Sequence, residues 1–509
     1  MNEASHATTS NVNRWWIVVT IMLVAILEVL DSTIVNVSLP AMMPSLGANQ
    51  EQITWVLTSY VVASAIVLPL TGFLINRIGI KQLLLIDIIG FMISSFICGT
   101  SQSLEMMVVF RLLQGAFGST MIPISQAVLR QTFPADEQGK AMAIWGLGIM
   151  VAPVMGPTLG GFITEHSSWR WVFYINLPVC IIGTLLVLAF IKKTKPIKQK
   201  IDYLGVLLMF IGIGSLQVFL DQGNGKDWFG SHLILSLFFT FIFCLVTFII
   251  RTYRHKHPVI NLYIFKDRNF TVSTLALAIY AGAVFGTVTL EPIMLETLYG
   301  YSALTAGITM APLGLSSAIA MMLVSILMKH INIKYITSFA LLSAACGMFY
   351  LTRMDLASAQ VNFFIANTFI GIGMGCFMVP ISTYSLISLA PKDVPEGSGL
   401  FSYGRMLGSS IGISVLSTLV TRLSQINWNR IGGQINPFNN NLILWLQHQH
   451  LNITDPKAVS QLTMIVHTQS SMIAFIDCYY VLAFVLITLI PLMLMLKHVD
   501  MSNTDVSAH

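Results

Sequence analysis

The octapeptide GSTMIPIS (118–125) returns, altered, as GCFMVPIS (375–382), and GKAMAIWG (139–146) returns as GSGLFSYG (397–404). The match between NRIGIK (76–81) and KHINIK (329–334) is looser but has a similar spacing. A chain that repeats itself half a length later is built from two related halves. The units repeated are apolar segments long enough to cross a bilayer, which needs about 20 residues, so a soluble solenoid is excluded. Such segments fall near 15–39, 53–75, 83–101, 106–130, 141–164, 172–191, 203–222, 231–250, 270–298, 303–328, 335–353, 361–389, 396–421 and 473–496. Six fill the first half and six the second, with two inserted between them. Repeated halves of this kind place a substrate site at their interface near the bilayer midplane, reached alternately from either side.

Composition agrees. Of 509 residues, 55% are hydrophobic and only 10% charged, where a soluble chain carries about a quarter charged. We therefore expect an all-α membrane protein with two six-helix bundles and two inserted helices. Its expected parts are a tail at 1–14, a first bundle at 15–191, and basic linkers at 192–269 holding spans 203–222 and 231–250. A second bundle follows at 270–497, with a long polar outside loop at 422–471 rich in Asn and Gln, and then a tail at 498–509. Acids inside the first span argue against a cleaved signal peptide. Most Lys and Arg fall in loops on one side, which puts both termini in the cytoplasm. That asymmetry explains the net charge of +5 without a nucleic-acid partner. All six cysteines lie in spans, so no disulfide framework is expected and a buried packing role is. His448 and His450 lack further ligands, and no metal is expected there.

The fifth span reads GIMVAPVMGPTLGG (148–161). Gly148, Ala152, Gly156 and Gly160 recur every four residues and lay a smooth stripe along one helix face; Gly161 follows. Pro153 and Pro157 remove backbone donors and permit a bend. The stripe suits either a sliding interface between conformational states or tight static packing. The loop GFLINRIGIK (72–81) holds Gly72, Arg77, Gly79 and Lys81 in a tight basic turn. The fourth span, RLLQGAFG (111–118), places Arg111 inside the membrane, where a charge by default marks a functional cavity or partner.

Together these patterns resemble the major facilitator superfamily, and the form GxxxAPxxGPxxGG is similar to the motif of its antiporters. With fourteen spans and LDSTIVNVSLP (30–40) in the first, the resemblance is to the drug:proton antiporter-2 (DHA2) family. WRWVFYINLP (169–178) and GIGSLQVFLDQGNGKDWF (212–229) look like its EmrB-like multidrug efflux permeases. The resemblance implies proton-driven export of hydrophobic drugs, with no cofactor, from a bacterial inner membrane. It also implies a periplasmic adaptor and an outer-membrane channel as partners, and the 422–471 loop is then expected to help dock the adaptor. Two departures stand out: Asn76 occupies a place where the loop motif usually has an acid, and Glu28 is not part of the pattern.

Six acids fall within spans: Glu28, Asp31, Asp87, Glu291, Glu296 and Asp477. Burial disfavours a carboxylate's charged form and a nearby Arg favours it. A carboxyl poised between the two can take up a proton on one side and release it on the other. Asp31, in the family motif, is the first candidate for proton coupling, with Arg111, Glu28 and Asp477 beside it. Glu28 and Asp31 share a helix face and resist joint ionisation. Glu291, Glu296 and Arg405 are candidates for the substrate cavity or its gating. The five-residue spacing of the two glutamates lets only one face inward, and Pro292 is expected to unwind the backbone between them. Asp87 is expected to pair with a basic loop residue. One inward proton supplies about 2.3 kcal/mol per 100 mV, enough to sustain a substantial drug gradient without nucleotide; no GxxxxGK[ST] loop is present. Export of a metabolite or lipid by the same machinery is the alternative. No enzyme motif such as HExxH or GxSxG appears, so catalysis or a receptor role is not expected.

Overall fold

The computed structural model describes residues 14–194, 196, 202–255, 258–328, 330–390, 392–436, 438–452 and 454–496. The expected tails and the linker lysines Lys198 and Lys200 lie outside the described residues. Within them the chain is all-helical. The first half holds α1 (Arg14–Ile34), α2 (Trp55–Val67), α3 (Ile80–Thr100), α4 (Leu104–Gly118, resuming as Met121–Thr132), α5 (Ala135–His166) and α6 (Asn176–Phe190). The inserted pair is α7 (Tyr203–Gln222) and α8 (His232–Arg254). The second half holds α9 (Arg268–Leu298), α10 (Ala303–Leu327), α11 (Ile333–Leu351), α12 (Gln360–Ile387), α13 (Val394–Gly432) and α14 (Pro456–Thr488).

The packing follows the sequence repeat. α1 lies on α5 as α9 lies on α13, α2 on α4 as α10 on α12, and α3 on α6 as α11 on α14. Two seams join the halves, α5 with α10 and α13 with the segment following α2, and they are related by the same pseudo-two-fold. Both seams close at the end of the bundle that carries the Gly79 turn. On one, Gly146 faces Met321: a Cβ there would stand 3.0 Å from its sulfur. On the other, a Cβ on Gly72 would stand 2.4 Å from the Glu396 backbone. Gly72 of the loop motif is thus small because the opposite half lies against it. Gly79 has φ +91°, a conformation costly for any other residue, and hands the chain directly into α3. Lys81 Nζ donates to the Leu188 carbonyl at 2.7 Å, fastening the turn to α6.

The two copies of the octapeptide behave differently. α12 runs unbroken through Pro380, whereas α4 breaks before Pro123. The first copy has Ser119 and Thr120 where the second has Cys376 and Phe377. Hydroxyls that bond locally compete with the helix: Ser119 Oγ donates to Ala116 O at 3.0 Å, and Thr120 Oγ1 donates to Asp87 Oδ2. Asp87 is therefore satisfied inside the bundle rather than by a basic loop residue. Pro292 likewise leaves α9 continuous; the missing bond is absorbed without unwinding. Cys346 is exposed on α11, and the other five cysteines are buried.

Polar contacts hold the inserted pair together at one end and dock it to the bundle at the other. At the basic end Arg251 Nη2 donates to Asp202 Oδ1 at 2.6 Å, and its Nε to the same oxygen at 2.8 Å. Burial pushes the Asp202 carboxyl up, but Arg251 and the Gly205 N–H outweigh it and hold it below the usual carboxylate value. The stabilisation is complete above pH about 4 and is lost as pH falls through the lower native value. Asp202→Asn should lower the melting temperature at neutral pH and flatten the acid limb of the stability curve. At the opposite end Thr58 Oγ1 donates to Asp221, tying α7 to α2. Gln217 Nε2 meets Ser410 Oγ at 3.1 Å, Asn224 Nδ2 meets Ser417 Oγ at 3.1 Å, and Trp228 Nε1 meets Thr418 Oγ1 at 3.0 Å, all on α13.

The 422–471 stretch carries the helix that DPKAVSQLTMIVHTQ (455–469) suggests at its end, but is more helical than expected before it. It is mostly helix: α13 continues to Gly432, a short helix spans Asn440–His448, and α14 begins at Pro456. α13 has 39 residues, about 58 Å at 1.5 Å per residue, well beyond a hydrocarbon core of about 30 Å. The two helices therefore project together. Leu442, Leu446 and Ala458 form a small core at the tip, and Ser424 and Ser471 hydroxyls meet at 3.0 Å.

Candidate functional site

Asp31 is fully buried within the first half. Arg111 Nη1 donates to its Oδ2 at 2.7 Å. Gln114 Nε2 and Asn176 Nδ2 donate to its Oδ1 at 2.9 and 2.7 Å. Arg111 is held in turn: its Nε donates to Val56 O at 3.1 Å, Nη1 also reaches Gln114 Oε1 at 2.8 Å, and its guanidinium lies 4.3 Å from the centre of the Tyr60 ring. Asn176 Nδ2 also donates to Ser95 Oγ at 3.0 Å. The acid thus gathers α1, α3, α4 and α6, with α2 behind the arginine. Sequence reading picked out Asp31 and Arg111 but missed Gln114, Asn176 and Ser95. Gln114 and Asn176 sit inside the quoted RLLQGAFG and WRWVFYINLP segments. An amide within an apolar span carries the same signal as an acid there.

The second half holds a related cluster without a cation. Glu291, on its first helix, is fully buried. Asn367, on its fourth, donates Nδ2 to Glu291 Oε1 at 2.6 Å and reaches Thr309 O at 3.4 Å. Glu291 Oε2 and Asn367 Oδ1 are buried without a partner. Glu296 is exposed, so only one of the two glutamates faces inward, as their spacing requires. Asp477, half-buried on α14, joins neither cluster.

Between the halves lies the central cavity. Its walls include Val29, Ile122, Gln126, Trp145, Phe285, Met321, Met378 and Arg405. Glu28 and Asp31 share a helix face but separate at their carboxyls. Glu28 is only partly buried; it lies near Ile122 and in the field of Arg405, both of the cavity wall. Glu28 Oε2 has no partner. Glu291 is not in the wall of this cavity; the α9 face it occupies turns toward α12. The free volume is about 80 Å³, room for a few waters but not for a drug-sized molecule; the halves must part to admit one.

The small-residue face of α5 packs within its own half, not across a seam. A Cβ on Gly148 would stand 2.6 Å from Met22, one on Gly156 2.1 Å from Thr33 Oγ1, and one on Gly160 2.5 Å from the Ile34 carbonyl. All three face α1, the helix that carries Glu28 and Asp31. Gly161 meets only an ordinary contact at 3.7 Å. α5 is helical through positions 153 and 157. The second half repeats the arrangement where Gly408 and Gly412 of α13 meet Ala278 and Gly282 of α9, a stripe (Gly404, Gly408, Gly412) legible in the sequence but not read there.

Residues 21–413 match the Major Facilitator Superfamily. The chain belongs to the major facilitator superfamily. Among its relatives is the fatty acid resistance protein FarB of Neisseria gonorrhoeae, 33% identical over 95% of this chain and 96% of the relative. Multidrug export protein EmrB of Escherichia coli is 32% identical over 93% of each. The solved structure of the human organic anion transporter MFSD10 (TETRAN) covers 95% of this chain and 100% of its own, with a TM-score of 0.59 and 14% identity. That likeness establishes the shared superfamily fold. Superfamily membership makes this chain a multi-pass membrane transporter.

Proposed function

We propose that this chain exports hydrophobic, drug-like compounds in exchange for protons, across a bacterial inner membrane with both termini cytoplasmic. One relative is named for multidrug export and the other for resistance to fatty acids, which are hydrophobic. The Asp31–Arg111 pair is the observation that carries the proton reading. A buried ion pair is costly unless every group is satisfied, and here both carboxylate oxygens and the guanidinium are bonded. Protonating Asp31 removes the attraction to Arg111 and weakens the tie between α1 and its neighbours. α1 moves with α5 through their interlocked glycine face, and α5 forms a seam with α10, so a change at Asp31 bears on how the halves meet. Asp31 is enclosed in this conformation; in exchange it opens to water in another.

Everted membrane vesicles test this. Adding a transported drug should dissipate a preset pH gradient, and the response should vanish in Asp31→Asn. An undiminished response in that variant refutes the assignment of the proton site.

The projecting ends of α13 and α14 support the further reading of a three-part pump with an adaptor and an outer-membrane channel. Their surface exposes Ile426, Phe438, Leu444, Val459 and Met464, and exposed apolar surface outside a bilayer marks a protein contact. Phe438→Ser combined with Leu444→Ser should abolish drug resistance of whole cells while leaving vesicle transport unchanged. Equal loss in both assays would place these residues in transport itself.

A further inference from the structure

The chain has two intramembrane arginines in very different states. Arg111 is paired with Asp31 and also donates to Gln114 and a carbonyl. Arg405 lines the central cavity, and no described carboxylate comes within ion-pair distance of it. Its guanidinium donates no hydrogen bond to a described residue, and its nearest aromatic is Phe285, 5.9 Å from the ring centre. The surrounding wall is apolar apart from Gln126, Ser382 and the unpartnered indole N–H of Trp145. A cation inside the membrane without a counter-ion is expensive and calls for a partner. Its five donors form a planar fork matched to a carboxylate or similar oxyanion. The one acid in its field is Glu28, on α1.

We propose that the cavity selects hydrophobic monoanions: Arg405 holds an acidic head group, the Met, Phe and Trp walls hold the apolar body, and Glu28 rivals the cargo for Arg405. This names the cargo class of the export reading and rests on it for direction, but not for binding. A fatty acid and an acidic drug present the same head group, and the charge of the cargo rather than its skeleton decides entry. The Gln126 amide N–H adds a hydrogen bond to the head group without adding charge.

Fluorescence anisotropy on the full chain in nanodiscs tests it, with pyrenebutyrate, pyrenebutanol and the matching quaternary ammonium as probes. Wild type should bind the acid at least about tenfold more tightly than the alcohol, about 1.4 kcal/mol, and the cation least. Arg405→Gln should erase the preference for the acid while leaving alcohol binding as it was. Arg405→Lys should keep part of the preference, since it restores charge but not the fork. Glu28→Gln should tighten acid binding by removing the rival. The proposal is overturned if Arg405→Gln binds the acid like wild type, or if it loses all three probes equally, which makes Arg405 structural. Glu28→Gln without effect removes Glu28 from it. If selective acid binding is intact but vesicles given the acid keep their pH gradient, proton exchange fails and the anion site stands.

Discussion

Asp31→Asn is expected to reduce drug resistance to that of cells lacking the transporter and, separately, to destabilise the protein. Asn176, Gln114 and Arg111 all donate to this carboxylate. An asparagine presents one acceptor oxygen and a donor in their place, and leaves Arg111 buried without its charge partner. Breaking a buried pair from one side costs about 3–5 kcal/mol, so thermal unfolding of the purified variant should move down sharply. The double variant Asp31→Asn with Arg111→Gln removes the orphaned charge and should recover much of that stability while transport stays lost. Recovery of transport along with stability would mean that the pair only holds the bundle together. A single variant cannot separate these outcomes; the pair of measurements can.

Gly160→Ala should be nearly as damaging, for a steric reason. Its Cβ would meet the Ile34 carbonyl at 2.5 Å, a backbone atom that cannot rotate aside, whereas the Gly156 position meets a side-chain hydroxyl at 2.1 Å. Overpacking of this kind costs about 1–3 kcal/mol and pushes α5 away from α1. Gly161→Ala, one residue on, meets Val37 only at 3.7 Å and should behave as wild type. Melting temperature and vesicle transport for the three variants should rank Gly160→Ala worst, Gly156→Ala next and Gly161→Ala unchanged. Equal tolerance at all three positions would show that the α1–α5 contact loosens during the cycle.

The architecture was readable from the octapeptide repeat and the count of apolar segments, because span length and hydropathy are local properties. The partners of a buried group are not. That Asp31 faces Arg111 while Glu28, one turn away, faces Arg405 depends on which helices surround α1, and spacing along one helix cannot supply that. The α5 stripe was legible as a close-packing face, but whether α1 or the opposite half lay against it was not. The 422–471 stretch misled because its Asn- and Gln-rich composition signals a loop, while the helices there are stabilised by each other and by the small tip core. The stretch 212–229 showed family likeness without its purpose; Gln217, Asp221, Asn224 and Trp228 turn out to be the groups that dock the insertion.

That docking has a consequence for how cargo leaves the lipid. α7 lies against both α2 and α13 and is bonded to each at the end opposite the Gly79 turn. One flank of the cleft is therefore walled off from the bilayer. The other flank, where α5 meets α10, has no inserted helix among the described residues. A greasy molecule drifting sideways in the membrane thus meets an inserted helix on the first side and only the α5–α10 seam on the second, so the two-fold skeleton presents two unlike faces to the lipid.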